Sequence, residues 1–413
     1  MQQRSSASLF SRHLAGLCMC LLMLADTQAA PRSQQDLRSF MHGVVALPTA
    51  QNGNYDVFFS SAGLPPRGED AQGRWQHDVY LLHWHSDEVA QSQPQILIAR
   101  PEAQEPVSAA RNRSGHVMLT FEDGWNSKDE VSQRYAVYDA AMRPIKPYPQ
   151  TAVSGGHSGH VAAVGERFVL FYSDGWVDGD GVNGQGSGNG VYVQVYDGQG
   201  EILQSIDVVD EQRAWWPMLA GGERTALLVW QQITDGQKTG QLNMAVLDPQ
   251  RGSLSDIRLL SADLQLYHYN LAWLPAVSRF VVLATIKGQG VAWLLDSAGQ
   301  LKARLDCLPA TVREAGLMVS GTTVFTPTAD GRLMQLAAGP DSLQLQGLLR
   351  ESKGRPVPWR PVGSVGLPRR DGRLDWLSLT ERGVQWWQFD PRQTGPARSA
   401  TRCASAGDAS LRK

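Results

Sequence analysis

The residues of this chain best suited to chemistry lie in one acidic loop. Asp174, Asp178, Asp180 and Asn183 set four oxygen-bearing side chains within ten residues, and Gly175, Gly179 and Gly181 let the backbone bend between them. Oxygen ligands at alternate positions of a sharply turning loop are what calcium takes. The pattern is not an EF-hand, which needs a fixed loop ending in a bidentate Glu, so a solvated acidic loop is the competing reading. His157 and His160 supply two ligands of a zinc site, but no third stands near them in the sequence, and zinc sites draw three or four from the protein. Asp123 and Asp174 sit in matching strings, Glu122-Asp-Gly-Trp125 and Ser173-Asp-Gly-Trp176. Two positioned carboxylates are the equipment of glycoside hydrolysis, although duplication alone also gives equivalent placement. The chain has no Gly-x-Ser-x-Gly elbow and no Gly-Lys-Ser/Thr phosphate loop.

Whether such residues meet depends on the elements that carry them, and these repeat. Four segments end alike: Tyr135-Ala-Val-Tyr-Asp139, Val193-Gln-Val-Tyr-Asp197, Met244-Ala-Val-Leu-Asp248 and Ala292-Trp-Leu-Leu-Asp296. Their aspartates are 58, 51 and 48 residues apart. Gln385–Asp390 is a late copy and Leu81–His85 an early one. Upstream of each lies a short strand, a polar turn and a stronger strand, as in 159–172, 217–230 and 270–283. Period-two alternation bounded by turn residues reads as half-buried strand. After each aspartate turn comes a fourth strand, as at 201–208 and 301–307. The aspartates themselves read as caps of their own tight turns rather than as ligands. Four antiparallel strands per roughly 40–50 residues are the signature of a propeller blade. The units fall at about 43–98, 100–150, 153–209, 214–260, 266–307, 313–349 and 359–390. The expected fold is therefore all-β, a single β-propeller of seven four-stranded blades.

The third unit carries the string Tyr172-Ser-Asp-Gly-Trp176, then Asp178-Gly-Asp-Gly181, then Gly188 to Gly200 with Gly190-Val-Tyr-Val-Gln-Val-Tyr-Asp197 inside it. This resembles the blade repeats of secreted bacterial β-propeller proteins over residues 168–200, with a weaker echo one blade earlier at 121–139. The resemblance implies an extracytoplasmic propeller and assigns no catalytic residue. The later blades lack the acidic loop.

In a propeller, one face gathers the loops that enter the innermost strands and those that join second to third strands. Function usually sits on loops held by such a rigid scaffold. The repeat places His157, His160, Trp215, Trp216, His268, Tyr269, Asn270, Arg313, Glu314, Trp359 and Arg360 on that face from the entry loops. Asp123, Trp125 and Trp176 come from the second-to-third-strand loops. Aromatic rings beside carboxylates and amides suit a carbohydrate, whose C–H faces stack on indoles; Trp and Tyr also fill gaps between blades. Two function classes follow: a binding or scaffolding module for a glycan or an envelope protein, and a glycoside hydrolase or lyase working through a carboxylate pair. Calcium is the one cofactor expected, and no organic cofactor is.

The N-terminus indicates an address. Arg4 and Arg12 precede an apolar run from Leu14 to Ala25 and small residues up to Ala29, the three-part pattern of a signal peptide. The run is shorter than the roughly 20 residues that span a bilayer. The expected organisation is a signal peptide at 1–29, a propeller at 30–395 and a tail at 396–413, in a periplasmic or secreted protein with no membrane span after cleavage. Net charge is −2, which offers nucleic acid no basic field. Past the signal, Cys307 and Cys403 are the two remaining cysteines and are free to pair in an oxidising compartment.

Overall fold

The computed structural model describes residues 41–51, 53–61, 77–86, 94–100, 103–123, 131–175, 188–233, 239–314, 316–359, 363–380 and 383–393. All lie in the compact unit Leu37–Lys413. Outside them fall the expected signal peptide and tail, together with Trp125, Trp176, Asp178, Asp180, Asn183, Arg360 and Cys403.

The described residues form strands joined by turns. The first sheet holds β1 (Met41–Pro48), β2 (Asn54–Ser61), β3 (Asp78–His85) and β4 (Gln95–Ile98). The second holds β5 (Glu105–Arg111), β6 (Val117–Asp123), β7 (Ser132–Tyr138) and β8 (Pro144–Ser154). The third holds β9 (His157–Val164), β10 (Arg167–Asp174), β11 (Gly190–Tyr196) and β12 (Ile202–Val209). The fourth is built on β13 (Ala214–Gly221), β14 (Ala226–Ile233) and β15 (Gly240–Asp248), with the short β16 (Ser253–Leu254) against β15. Its outer edge is the first half of β17 (Arg258–Leu274), whose second half opens the fifth sheet with β18 (Arg279–Ile286), β19 (Gln289–Leu295) and β20 (Leu301–Leu308). The sixth holds β21 (Met318–Ser320), β22 (Thr323–Pro327), β23 (Leu333–Ala338) and β24 (Leu343–Leu349). The seventh is three-stranded among the described residues, with β25 (Ser364–Pro368), β26 (Leu374–Thr380) and β27 (Gly383–Phe389).

Packing turns this row of antiparallel sheets into a ring. Successive side chains of a strand point to opposite faces. Along β10, Val169 and Phe171 join a core shared with the fourth sheet, whereas Phe168, Leu170 and Tyr172 join one shared with the second. The same division recurs around the molecule, giving one hydrophobic core between each neighbouring pair of sheets. A further core unites Val57, Phe59, Tyr80, Leu82 and Trp84 of the first sheet with Leu367 and Leu377 of the seventh. There the Tyr55 hydroxyl donates to the Pro368 carbonyl at 3.0 Å. Sheets packed face to face around a closed circle are a β-propeller, and the division of the described residues is consistent with the seven units that the repeat anticipates.

Two details depart from the sequence reading. Alternating strands such as Asp78–Trp84 read as half-buried, yet β3, β10, β14 and β18 are buried on both faces over most of their length, because each blade is sandwiched between two others. Alternation survives at the rim, where β12 exposes every other residue over much of its course. The fourth and fifth units were expected to be separate, yet β17 runs unbroken through both. Arg258–Leu274 contains no Gly or Pro to interrupt it, and a bulge between Leu264 and Tyr269 transfers the strand from one sheet to the next. The aspartate turns are as expected: Asp197 Oδ1 accepts the Gln199 and Glu201 N–H groups at 2.8 and 2.9 Å, and Asp296 Oδ1 those of Ala298 and Gln300 at 3.0 and 2.8 Å.

Candidate site at the mouth of the central channel

The innermost strands all begin at one end of the ring, and each entry departs from regular strand geometry. Gly43, Ser158, Trp216, Tyr267, Glu314 and Gly363 all have positive φ, between 53° and 99°. The ladders slip at the same places, between Trp215 and Met218 and between Leu264 and Tyr269. A bulge breaks the period of two and re-aims a side chain. Non-glycine residues in the left-handed region are uncommon and cluster where the surroundings over-determine them.

The surroundings here are buried polar side chains near the ends of second strands, which hold the next blade's entry. Gln231 Oε1 accepts the Tyr267 N–H at 2.9 Å and Thr285 Oγ1 the Thr311 N–H at 3.1 Å. Glu122 accepts the Ser158 N–H, and the Ser173 hydroxyl donates toward the Ala214 carbonyl at 3.4 Å. Gln133, on a third strand, takes the Gly159 N–H at 2.9 Å. A Cβ on Gly159 would collide with that amide, so a side chain there would push the contact apart.

These entries enclose a cavity of about 180 Å³ lined by six of the sheets and by the loop that enters the sixth. His160, Trp216, Tyr269, Asn270 and Glu314 line it, with Ser108 and Ser364 on the far side. An aromatic cluster forms one wall. Trp216 meets His160 edge-on at 6.1 Å and Tyr267 at 5.2 Å, and Trp215 meets Tyr267 at 5.2 Å. The Arg313 guanidinium lies 4.1 Å from the Tyr267 ring centre and donates to Glu314 at 2.9 Å. The Tyr269 hydroxyl donates to the Trp216 carbonyl, and burial pushes its pKa well above the ordinary phenol value. The volume is below the roughly 300–1,000 Å³ of sites that enclose a drug-sized ligand. It suits one sugar ring or one inserted side chain.

The sequence-predicted residues divide accordingly. His160, Trp216, Tyr269 and Asn270 come together in the cavity. His157 and Trp215 lie behind them, 1% and 4% exposed. The Trp215 indole donates to Ser158 Oγ at 3.3 Å. His157 places Nε2 3.1 Å from the Gly175 carbonyl, and burial lowers its pKa to about 4. Trp359 lies apart: it packs on Trp376, Trp387 and Phe389 in the core between the sixth and seventh sheets, and its indole donates to the Arg332 carbonyl at 3.1 Å. Asp123 and Asp174 do end corresponding strands. Asp123 is buried and ion-paired with Arg134 at 2.7 Å, while Asp174 accepts the Gly175 N–H at 2.7 Å. Among the described residues, no three His, Cys, Asp or Glu side chains gather as metal ligands do. Ser108, Ser364 and Tyr267 escaped the sequence reading. The two serines carry no distinguishing signal. Tyr267 adjoins His268-Tyr-Asn270 in the sequence, but its reversed backbone leaves no mark there.

No family model matches the chain, and no curated protein matches it in sequence. Solved structures do. A chain of the mitotic checkpoint complex aligns over 89% of this chain and 98% of its own, at 11% identity and a TM-score of 0.47. The Dos1 propeller aligns over 85% of each, at 14% and 0.44. The β-propeller domain of the trilobed protease from Pyrococcus furiosus aligns over 85% and 94%, at 7% and 0.46. These are likenesses of fold. The chain is a β-propeller on the evidence of its own sheet order and inter-sheet cores.

Proposed function

We propose that this chain is an exported binding or scaffolding module that presents its channel mouth to a glycan or a protein partner in the cell envelope. The observation that carries the proposal is the cavity enclosed by the strand entries, in which Trp216, His160, Tyr269 and Asn270 converge although they come from three different blades. A rigid ring that gathers rings, an amide and hydroxyls at one point is built to hold a ligand group, with aromatic bodies for its apolar face and polar tips for orientation. Export to the periplasm or medium rests on the N-terminal pattern. Calcium at Asp174–Asn183 and a Cys307–Cys403 bridge belong to the same proposal. The hydrolase alternative gains nothing from Asp123, whose carboxylate is held by Arg134.

The test is a glycan array together with crosslinking in envelope extracts, using the wild-type protein and Trp216→Ala and Asn270→Ala variants. Retention of a glycan or partner by wild type, lost in both variants, supports the reading. Retention unchanged by either substitution places the binding surface elsewhere.

A further inference from the structure

The opposite end of the ring holds a second site. β13 passes the channel mouth at Trp216 and ends at Gly221, where a turn through Gly222–Thr225 follows. There a cavity of about 490 Å³ is walled by that turn, by residues 248–255 and by Trp273. An adjoining cavity of about 260 Å³ reaches the third sheet at Glu166 and the second at Arg113. The two share Glu223, Arg224, Asp248 and Arg251 and so make one groove across the turns of several blades.

The charged groups left open in this groove are chiefly its guanidinium donors. Its carboxylates are engaged: Asp248 Oδ1 accepts the Gln250 and Arg251 N–H groups at 2.9 and 3.2 Å. Glu166 takes the Ser114 N–H at 3.1 Å and the Ser114 hydroxyl, and Glu223 the Ser278 hydroxyl at 3.3 Å. The guanidiniums are not. Those of Arg113 and Arg224 are exposed and make no hydrogen bond or ion pair among the described residues. Arg251, its side chain 74% exposed, reaches Asp248 only at 3.8 Å. Arg presents a planar fork that matches a carboxylate bidentately. Trp273, half-buried against Phe280 at 4.6 Å, and the exposed Ser253 and Ser297 complete the wall.

We infer that this groove binds an acidic glycan, a chain of sugars bearing carboxylates. Arg224 and Arg251 pair with the carboxylates, Trp273 meets a sugar ring, and the serine hydroxyls meet its hydroxyls. Three arginines face three carboxylates along the groove, so no net field draws in a polyanion from a distance, and recognition depends on local forks. A peptide of acidic residues alone would use the arginines but brings no ring to set against Trp273. This site is independent of the channel mouth.

Isothermal titration with tetragalacturonate tests it, with cellotetraose as the neutral sugar and poly-L-glutamate as the acidic peptide. Tetragalacturonate is expected to bind. Arg224→Gln and Arg251→Gln should each weaken it by about tenfold or more, the loss of one charge-assisted pair. Arg224→Lys should recover only part of the loss, since a point charge lacks the fork. Trp216→Ala should leave it unchanged. Both arginines lie in exposed turns, and melting curves check that the variants remain folded. The inference is overturned by an absence of binding, by equal binding of cellotetraose or by equal binding of poly-L-glutamate. It is also overturned if Trp216→Ala abolishes binding while the arginine variants keep it, a result that would instead support the channel-mouth reading.

Discussion

A buried N–H must find an acceptor, and this ring finds several of its acceptors one blade back. Thr285 is fully buried; its hydroxyl lies 3.0 Å from that of Thr311 and accepts the Thr311 N–H. Thr285→Val keeps the shape and strands that N–H, so it should cost about 1–3 kcal/mol, whereas Thr285→Ser should cost less; urea unfolding of the two variants measures the difference. His157 permits a second test. Its pKa falls from an ordinary 6.5 to about 4 because burial disfavours the charged ring. Between those values the unfolded chain holds more protons than the native one, so stability rises with pH there. The contribution is whole above pH 6.5 and is lost as pH falls toward 4, by about 3 kcal/mol in all. His157→Gln should flatten the stability profile across that window and leave the slope elsewhere intact. A profile as steep in the variant as in wild type would show that other groups set the acid limit.

At the scale of the element, the third strands were the legible part. Their recurring aspartate turns, such as those at Asp197 and Asp296, bond as the residue types demand. The entries were legible as places but not as conformations. Trp216 and Glu314 adopt positive φ although neither type favours it, since what holds them is tertiary. Trp359 packs between the sixth and seventh sheets for a related reason: a tryptophan near a strand start faces either the channel or the next blade, and nothing local decides between them. Two elements invite tests at this scale. The loop from Asp174 to Asn183 gathers three carboxylates with glycines between them, which is unfavourable to order without a counter-ion. Millimolar calcium should raise the melting temperature above that in chelator, and Asp178→Asn with Asp180→Asn should remove the difference. Cys307 stands near the end of the outer strand β20. A bridge to Cys403 should leave no reactive thiol in unfolded, unreduced protein, and labelling of both cysteines would exclude it.

At the scale of the whole molecule, the spacing of repeats was enough to anticipate a propeller, and the described sheets are consistent with seven units. Closure was not legible there, because which residues of the first and last sheets touch depends on the curvature of the entire row. Closure has an energetic consequence. In a linear array each unit leans on its neighbours and the ends fray, whereas in a ring every sheet has two partners and no end exists to unravel. Leu377 is fully buried in the core between the seventh and first sheets, and Leu228 is fully buried in the one between the third and fourth. Leu377→Ala and Leu228→Ala should each cost about 2–5 kcal/mol through lost burial and the cavity left behind. In a closed ring both substitutions lower the midpoint of one common transition, with circular dichroism at the β signal and tryptophan fluorescence coinciding. If Leu377→Ala instead splits the melt in two, with the third and fourth sheets unfolding at the wild-type temperature, the first-to-seventh core does not couple the ends of the chain.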